Sequence, residues 1–260
     1  MSGRWSALVL AGSRGEDDPV AKAAGVSHKA IAPIAGWPMI VWPVAALSKC
    51  ADIGSITIMI EDPDVLNGCA GLMKLKEAGR LSIIPAKSNP VASAMAGLEA
   101  LRAPVLITTA DHPLLTTEII ETFLKGVPRG ADIAAGAARK EVLDDAWPDS
   151  VRTYLKFSDR QITGCNLFAA TSHRAQGVIR LWEQVQQHRK HPLKLARMLG
   201  LMNIFRYAIG RLSLERALKR LSQIADCEVA VVDMPIAEAA IDVDYPRDIE
   251  LVEQILKDRR

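Results

Sequence analysis

The chain opens on an apolar run, "WSALVL", that stops at Ala11-Gly12. An apolar run between turn signals is the pattern of a strand covered on both faces. "SITIMIE", rich in β-branched residues, gives a second strand. "LSIIPA" gives a third, and "APVLITTAD" a fourth that ends at Asp111. Between these strands the spacing is helical. Pro38 is expected to open a helix to about Lys49, because proline suits a first helical turn. A further helix runs through "VASAMAGLEAL", and Thr116 has the chemistry of an N-cap, with Glu118 and Glu121 in the turns that follow. Strand and helix in alternation predict an α/β fold, a mostly parallel mixed sheet with helices on both faces.

Beyond residue 130 the pattern loosens. "ADIAAGAA" and "VRTYLKF" read as strands, and "TGCNLFAA" as a turn feeding a short one. Residues 173–225 read as helical, "CEVAVVDM" and "AAIDVD" return to strand, and Pro246 starts a closing amphipathic helix through "RDIELVEQIL". There is no internal repeat, low-complexity tract or flexible linker. The expectation is one domain over 1–260 with a helical insertion at about 173–225.

Composition narrows the class. The four cysteines, Cys50, Cys69, Cys165 and Cys227, are scattered and show neither zinc-ligand spacing nor a disulfide framework, which predicts a reducing, cytoplasmic setting. No cleavable signal and no apolar stretch of bilayer-spanning length is visible. Charge is uneven. Between Arg174 and Arg220 eleven Lys or Arg face two acids, a balance of +9 in a chain whose total is +2, so the rest carries −7. Such a segment speaks of an anionic partner. It carries no nucleic-acid-binding motif, and no nucleic-acid partner is expected.

Three features fall at expected strand ends, where ligands gather in open α/β sheets. The first is the turn Ala11, Gly12, Ser13, Arg14 and Gly15, where glycines let backbone N–H groups approach a phosphate, with Arg14 and the later Lys29 adding two cations. The second is Asp111 in "TTADHPLL". The third is "IDVD", where Asp242 and Asp244 would share one face of a strand. Singly, each is better explained by a turn or a helix cap. Together, two cations and two carboxylates at strand ends are what a metal-bound triphosphate requires, since Mg²⁺ takes one or two carboxylates plus phosphate oxygens.

The pieces "VLAGSRG", "KAIAPIAGWPMI", "VLITTADHPLLT", "TGCNLF" and "IDVDYPRDIEL" stand in an order that resembles the MobA-like NTP transferases. These are nucleotidyltransferases of the Rossmann-like nucleotide-diphospho-sugar transferase, or glycosyltransferase-A-like, fold. The resemblance implies Mg²⁺-dependent transfer of an NMP group from an NTP to a phosphorylated small-molecule acceptor, with Mn²⁺ as the alternative ion. It implies that Gly12, Arg14 and Lys29 hold the triphosphate, and that Asp111 and Asp244 hold the metal, with Asp242 a rival for the second place.

Ser88, Asn89 and Ser93, after the third strand, are candidates for nucleobase contacts. Arg152 and Lys156, taken as one face of "VRTYLKF" with Tyr154, are candidates for an anionic acceptor, and Asn166 is a third acceptor contact. His112 reads as a turn residue rather than a general base. The basic segment is expected to form a lid over the acceptor, with peripheral contact to an anionic membrane as the alternative. A membrane-associated or regulatory nucleotide-binding protein without turnover is the competing function.

Overall fold

The computed structural model describes residues 4–13, 17–148, 152–187 and 200–259. Strand β1 (Trp5–Leu10) is central. On one side it pairs in parallel with β4 (Ile53–Ile60), and β4 pairs in parallel with β5 (Leu81–Pro85). On the other side it pairs in parallel with β6 (Val105–Thr109). Next come β9 (Gln161–Ala170), antiparallel to both its neighbours, then β7 (Ile133–Arg139) and β10 (Val229–Met234), parallel to each other. A two-residue strand, β8 (Leu155–Lys156), pairs with β9 and completes an eight-stranded mixed sheet among the described residues. A small hairpin of β2 (Pro33–Ile34) and β3 (Trp37–Pro38) stands apart.

The helices cover both faces. Along β1, Ala7 and Val9 point to one core and Leu8 to the other, the two-residue alternation of a strand buried on each side. The first core takes Val44 and Leu47 from α2 (Val41–Lys49), Leu72 from α3 (Ala70–Glu77) and Ile119, Ile120 and Phe123 from α5 (Thr117–Gly126). Val252, Ile255 and Leu256 of the closing helix α10 (Pro246–Asp258) join it. The second core is roofed by α4 (Pro90–Ala100), α7 (Gln176–Gln187) and α9 (Leu214–Ala225), which contribute Leu181 and Ala225. Each fully buried Leu, Ile or Phe contributes about 1.5–3 kcal/mol relative to exposure.

Several elements differ from expectation. Pro38 sits in the β2–β3 hairpin, and the helix starts at Val41; the Pro33-Ile34 and Trp37-Pro38 pairs turn on Ala35 and Gly36, both at positive φ. "VRTYLKF" yields only the two-residue β8, so Arg152 and Lys156 share no strand face. "TGCNLFAA" is the latter part of the ten-residue β9 rather than a short strand. "AAIDVD" starts in the last two residues of a 3₁₀ turn, Ala237–Ala240, and continues as extended chain with no ladder partner.

Helices at Pro19–Ala24, Ala70–Glu77 and Lys140–Ala146 were not expected, and within the expected helical run 173–225 residues 188–199 lie outside the described residues; the other elements follow the pattern. Thr116 caps α5 by accepting from the Ile119 amide (3.2 Å). The carboxyl ends of β1, β4 and β6 lie level, Leu10 being in register with both Met59 and Thr109. The chain builds β4 and β5 on one side of β1 and then crosses by α4 to β6 on the other. Strand order therefore reverses beside β1, the place where α/β sheets leave a crevice.

Candidate nucleotide-binding site

The crevice is a cleft of about 400 Å³ lined by Gly12, Ser13, Lys29, Glu61, Lys87, Ser88, Asn89, Ser93, Thr109, Asp111 and Asp244, among others. Every one of these except Lys29 and Asp244 follows or ends a parallel strand, so the sheet gathers residues far apart in sequence. Lys29 comes from a 3₁₀ turn (Lys29–Ile31), and the preceding helix α1 (Pro19–Ala24) is capped by Asp18, which accepts from the Val20 and Ala21 amides. Asp244 is brought in by the backbone: the Val243 amide donates to the Asp111 carbonyl (2.9 Å), pinning the C-terminal segment beside the end of β6. Ile241 and Val243 are wholly buried beneath it.

At the centre, the Lys29 ammonium donates to Asp111 Oδ2 (2.6 Å) and to Asp244 Oδ1 (3.2 Å). Burial opposes its charge, but the two carboxylates outweigh that and hold the ammonium above the ordinary lysine value. The other oxygen of Asp111, Oδ1, is buried without a hydrogen-bond partner. A carboxylate lone pair left unpaired costs stability unless something takes it up. Among the described residues no group of three or more His, Cys, Asp or Glu is placed to hold a metal. Asp111 and Asp244 are thus a pair of carboxylates, the donor number suited to a hard cation that draws its remaining oxygens from phosphates and water.

The glycine turn is already engaged. The Ser13 amide donates to both oxygens of Glu61 (3.2 and 3.3 Å), and a Cβ on Gly12 would lie 3.2 Å from Glu61 Oε1. The Ala30 amide donates to His28 Nδ1 (3.2 Å), so Nε2 carries the hydrogen and donates to Glu61 Oε2 (3.1 Å). Glu61 therefore holds an anion's place at the turn. Ala11 is buried, its amide given to the Met59 carbonyl (2.8 Å), and it does not face the cleft. Arg14 and Gly15 lie outside the described residues.

Ser88, Asn89 and Ser93 all line the cleft, at the start of α4. Asn89 Oδ1 accepts from the Ala92 amide (2.9 Å) as the helix cap, and Ser93 Oγ accepts from the Lys87 amide (2.9 Å). Asp242 is turned to different partners from Asp244. It accepts from Arg152 Nη1 (2.7 Å) and Asn166 Nδ2 (3.0 Å). Burial, then the charges of Asp111 and Asp244, push its carboxyl above the usual range, with Arg152 opposing.

Asn166 reaches Asp242 from a left-handed backbone (φ 51°) within β9, where the pairing with β7 shifts register. None of Arg152, Lys156 and Asn166 lines the cleft; Arg152 and Asn166 stand beside it through Asp242, whereas Lys156 is exposed on β8. His112 is buried, its Nε2 set against the Glu238 carbonyl (3.4 Å), and burial lowers its pKa to about 4. It is a buried turn residue and is not part of the cleft lining. Glu61 and Lys87 were not singled out from sequence. The signal was there in Glu61, the last residue of "SITIMIE" and so at a strand's carboxyl end.

An open sheet whose crevice joins a glycine turn, a lysine and paired carboxylates defines a nucleotide-handling α/β domain. The chain belongs to the MobA-like NTP transferase domain family, which matches residues 7–225. It is a nucleotidyltransferase of the nucleotide-diphospho-sugar transferase fold. A solved structure described as a hypothetical transferase from Thermus thermophilus is similar, with a TM-score of 0.79 and 29% identity over 95% of this chain and 99% of that one.

Two more distant structures share the fold. A 4-diphosphocytidyl-2C-methyl-D-erythritol synthase from Anaerococcus prevotii DSM 20548 has a TM-score of 0.58 and 14% identity, covering 98% of this chain and 97% of its own. A CMP:2-keto-3-deoxy-manno-octonic acid synthetase complexed with CTP has a TM-score of 0.59 and 14% identity, covering 99% of each. Nothing among the curated proteins matches the chain in sequence.

Proposed function

We propose that the chain is a Mg²⁺-dependent enzyme that transfers an NMP group from an NTP to a phosphorylated small-molecule acceptor and releases pyrophosphate, with Mn²⁺ as the alternative ion. The observation that carries this reading is the convergence of Lys29, Asp111 and Asp244 beside the glycine turn, with Asp111 Oδ1 buried and unpartnered. The CTP complex of a protein with the same fold supports an NTP as the ligand.

In this reading the amides of Gly12 and Ser13, with Arg14 and Lys29, neutralise the β- and γ-phosphates. An acceptor phosphate oxygen attacks the α-phosphorus in line; the bond from that phosphorus to the bridging oxygen breaks, and the electron pair leaves with pyrophosphate. Asp111 and Asp244 hold the divalent cation, which when bound supplies Lewis-acid neutralisation of the reacting phosphate. Lys29 then exchanges the carboxylates for phosphate oxygens. Ser88, Asn89 and Ser93 border the base. Arg152, which spends one contact on Asp242 and has further donors, and Asn166 face the acceptor; Asp242 positions both rather than the metal. No nucleophilic side chain is needed, because positioning and electrostatics carry this chemistry. One domain spans residues 1–260, the basic helices of about 173–225 included. Four free, buried thiols suit a cytoplasmic setting.

The test is pyrophosphate release with Mg²⁺, a panel of NTPs and a panel of phosphorylated acceptors. Folded Asp111→Asn should lose at least about 100-fold in turnover, the scale of one electrostatic stabiliser. Near wild-type turnover in that variant overturns the assignment. NTP binding without pyrophosphate release under any acceptor favours the regulatory nucleotide-binding reading instead.

A further inference from the structure

The helix α8 (Leu201–Ala208) carries more apolar surface than its own packing uses. Its inner side, Ile204 and Tyr207, closes an apolar groove of about 470 Å³ against Phe157, Leu214 and Leu218. Phe157 and Tyr207 meet edge to ring, 6.0 Å between centroids, and the Lys156 amide donates to the Tyr207 hydroxyl (3.3 Å). These contacts fasten the helix to β8. Its outer side is different. Met202, Phe205 and Ile209, spaced i, i+3 and i+7, are 59%, 59% and 46% exposed. Of ten large hydrophobic residues exposed among the described residues, six fall between Leu201 and Ile209. Clustering of that kind marks an interaction surface, whereas scattered exposure does not.

Cations ring the same patch. Arg206, Arg211 and Arg216 line one shallow depression with Met202, Phe205 and Ile209. No acid occurs from Gly200 to Leu214, and none of the three guanidinium groups has an ion pair among the described residues. Charge decides the occupant. A second copy of this chain docked about a two-fold axis would set these arginines against their own counterparts, with no acid lining the depression to offset them. An anionic phospholipid surface supplies negative headgroups for the arginines and an apolar boundary for Met202, Phe205 and Ile209, the division an interfacial helix uses. We propose that α8 is a docking face for anionic phospholipid bilayers. The described part of the basic segment lines no part of the nucleotide cleft, so this face and the transferase site are separate.

The experiment is co-sedimentation of the full chain with phosphatidylcholine vesicles, with and without phosphatidylserine, at low and high salt. Binding is expected only with phosphatidylserine, falling as salt rises. Replacing Arg206, Arg211 and Arg216 together by Gln should weaken it on the order of 100-fold, each cation near the surface being worth about a factor of five. Met202→Ser with Phe205→Ser, both exposed and so tolerable to the fold, should weaken it comparably while leaving the melting temperature unchanged. Absence of wild-type binding, or equal binding by both variants, overturns the proposal. So does a concentration-dependent dimer that Phe205→Ser dissolves, because a second copy would then cover the face.

Discussion

Lys29 shows what the unliganded cleft has to solve. The carboxylates of Asp111 and Asp244 repel each other, and the Lys29 ammonium between them offsets that repulsion. Glu61 does the converse at the glycine turn, filling the Ser13 amide that a phosphate oxygen would take. Under the proposed function both contacts must exchange when a metal-bound triphosphate enters. His112, next to Asp111, has a purely structural consequence that can be measured. Burial depresses its pKa from 6.5 to about 4, so between those values the unfolded chain binds more protons than the folded one. Its contribution is present above about pH 6.5 and is lost as pH falls toward about 4, up to about 3 kcal/mol in all. Urea unfolding of the wild type should lose about 2 kcal/mol between pH 7 and pH 5 from this group, and His112→Asn should flatten that slope. An unchanged slope would place the acid sensitivity elsewhere. Lys29, Asp111 and Asp244 were readable in sequence as candidates because each stands beside a strand end or a turn, and the structure brings the three together. The split between Asp242 and Asp244 was not, because residue spacing does not reveal that Arg152 and Asn166 would claim one of them.

At the scale of elements, the first half of the chain was legible because each parallel strand is a short apolar run bounded by turns, and α4 and α5 each open on a side-chain cap, whereas α2 and α3 have none. The second half was less so. β9 lies antiparallel between β6 and β7, a placement set by tertiary pairing rather than by its own periodicity. "IDVD" has the alternation of a strand, with Ile241 and Val243 buried, but its backbone is tied to the Asp111 carbonyl rather than to a ladder. Helix contacts were also invisible in the sequence. Gly177 of α7 lies so close to α9 that a Cβ would overlap the Ala225 carbonyl oxygen, a backbone atom that cannot swing away. Gly177→Ala should therefore part the two helices that roof the second core, costing about 1–3 kcal/mol by denaturant titration, as overpacking does. Its small gain in helix propensity does not offset this. A stability equal to wild type would mean that α7 and α9 can separate freely.

Across the whole molecule, charge and topology divide the labour. The carboxylates gather where the sheet leaves its crevice, while Arg206, Arg211 and Arg216 of the basic segment lie away from it, beside α8. Ligand binding at the crevice joins β1, β4, β5 and β6 to the C-terminal segment that carries Asp244 into α10, elements from both ends of the chain. An NTP with Mg²⁺ should consequently stabilise the fold as a unit. At about 100 times its dissociation constant a ligand adds about 2.7 kcal/mol. For a chain of this size that is a rise in melting temperature of roughly 5–10 °C. Mg²⁺ should enlarge the shift given by NTP alone, and Asp111→Asn should remove the Mg²⁺-dependent part while leaving a smaller shift from phosphate contacts with Lys29 and the glycine turn. An Asp111→Asn variant that kept the full Mg²⁺ increment would show that the metal is held elsewhere, and the unpartnered Asp111 Oδ1 would then need another explanation.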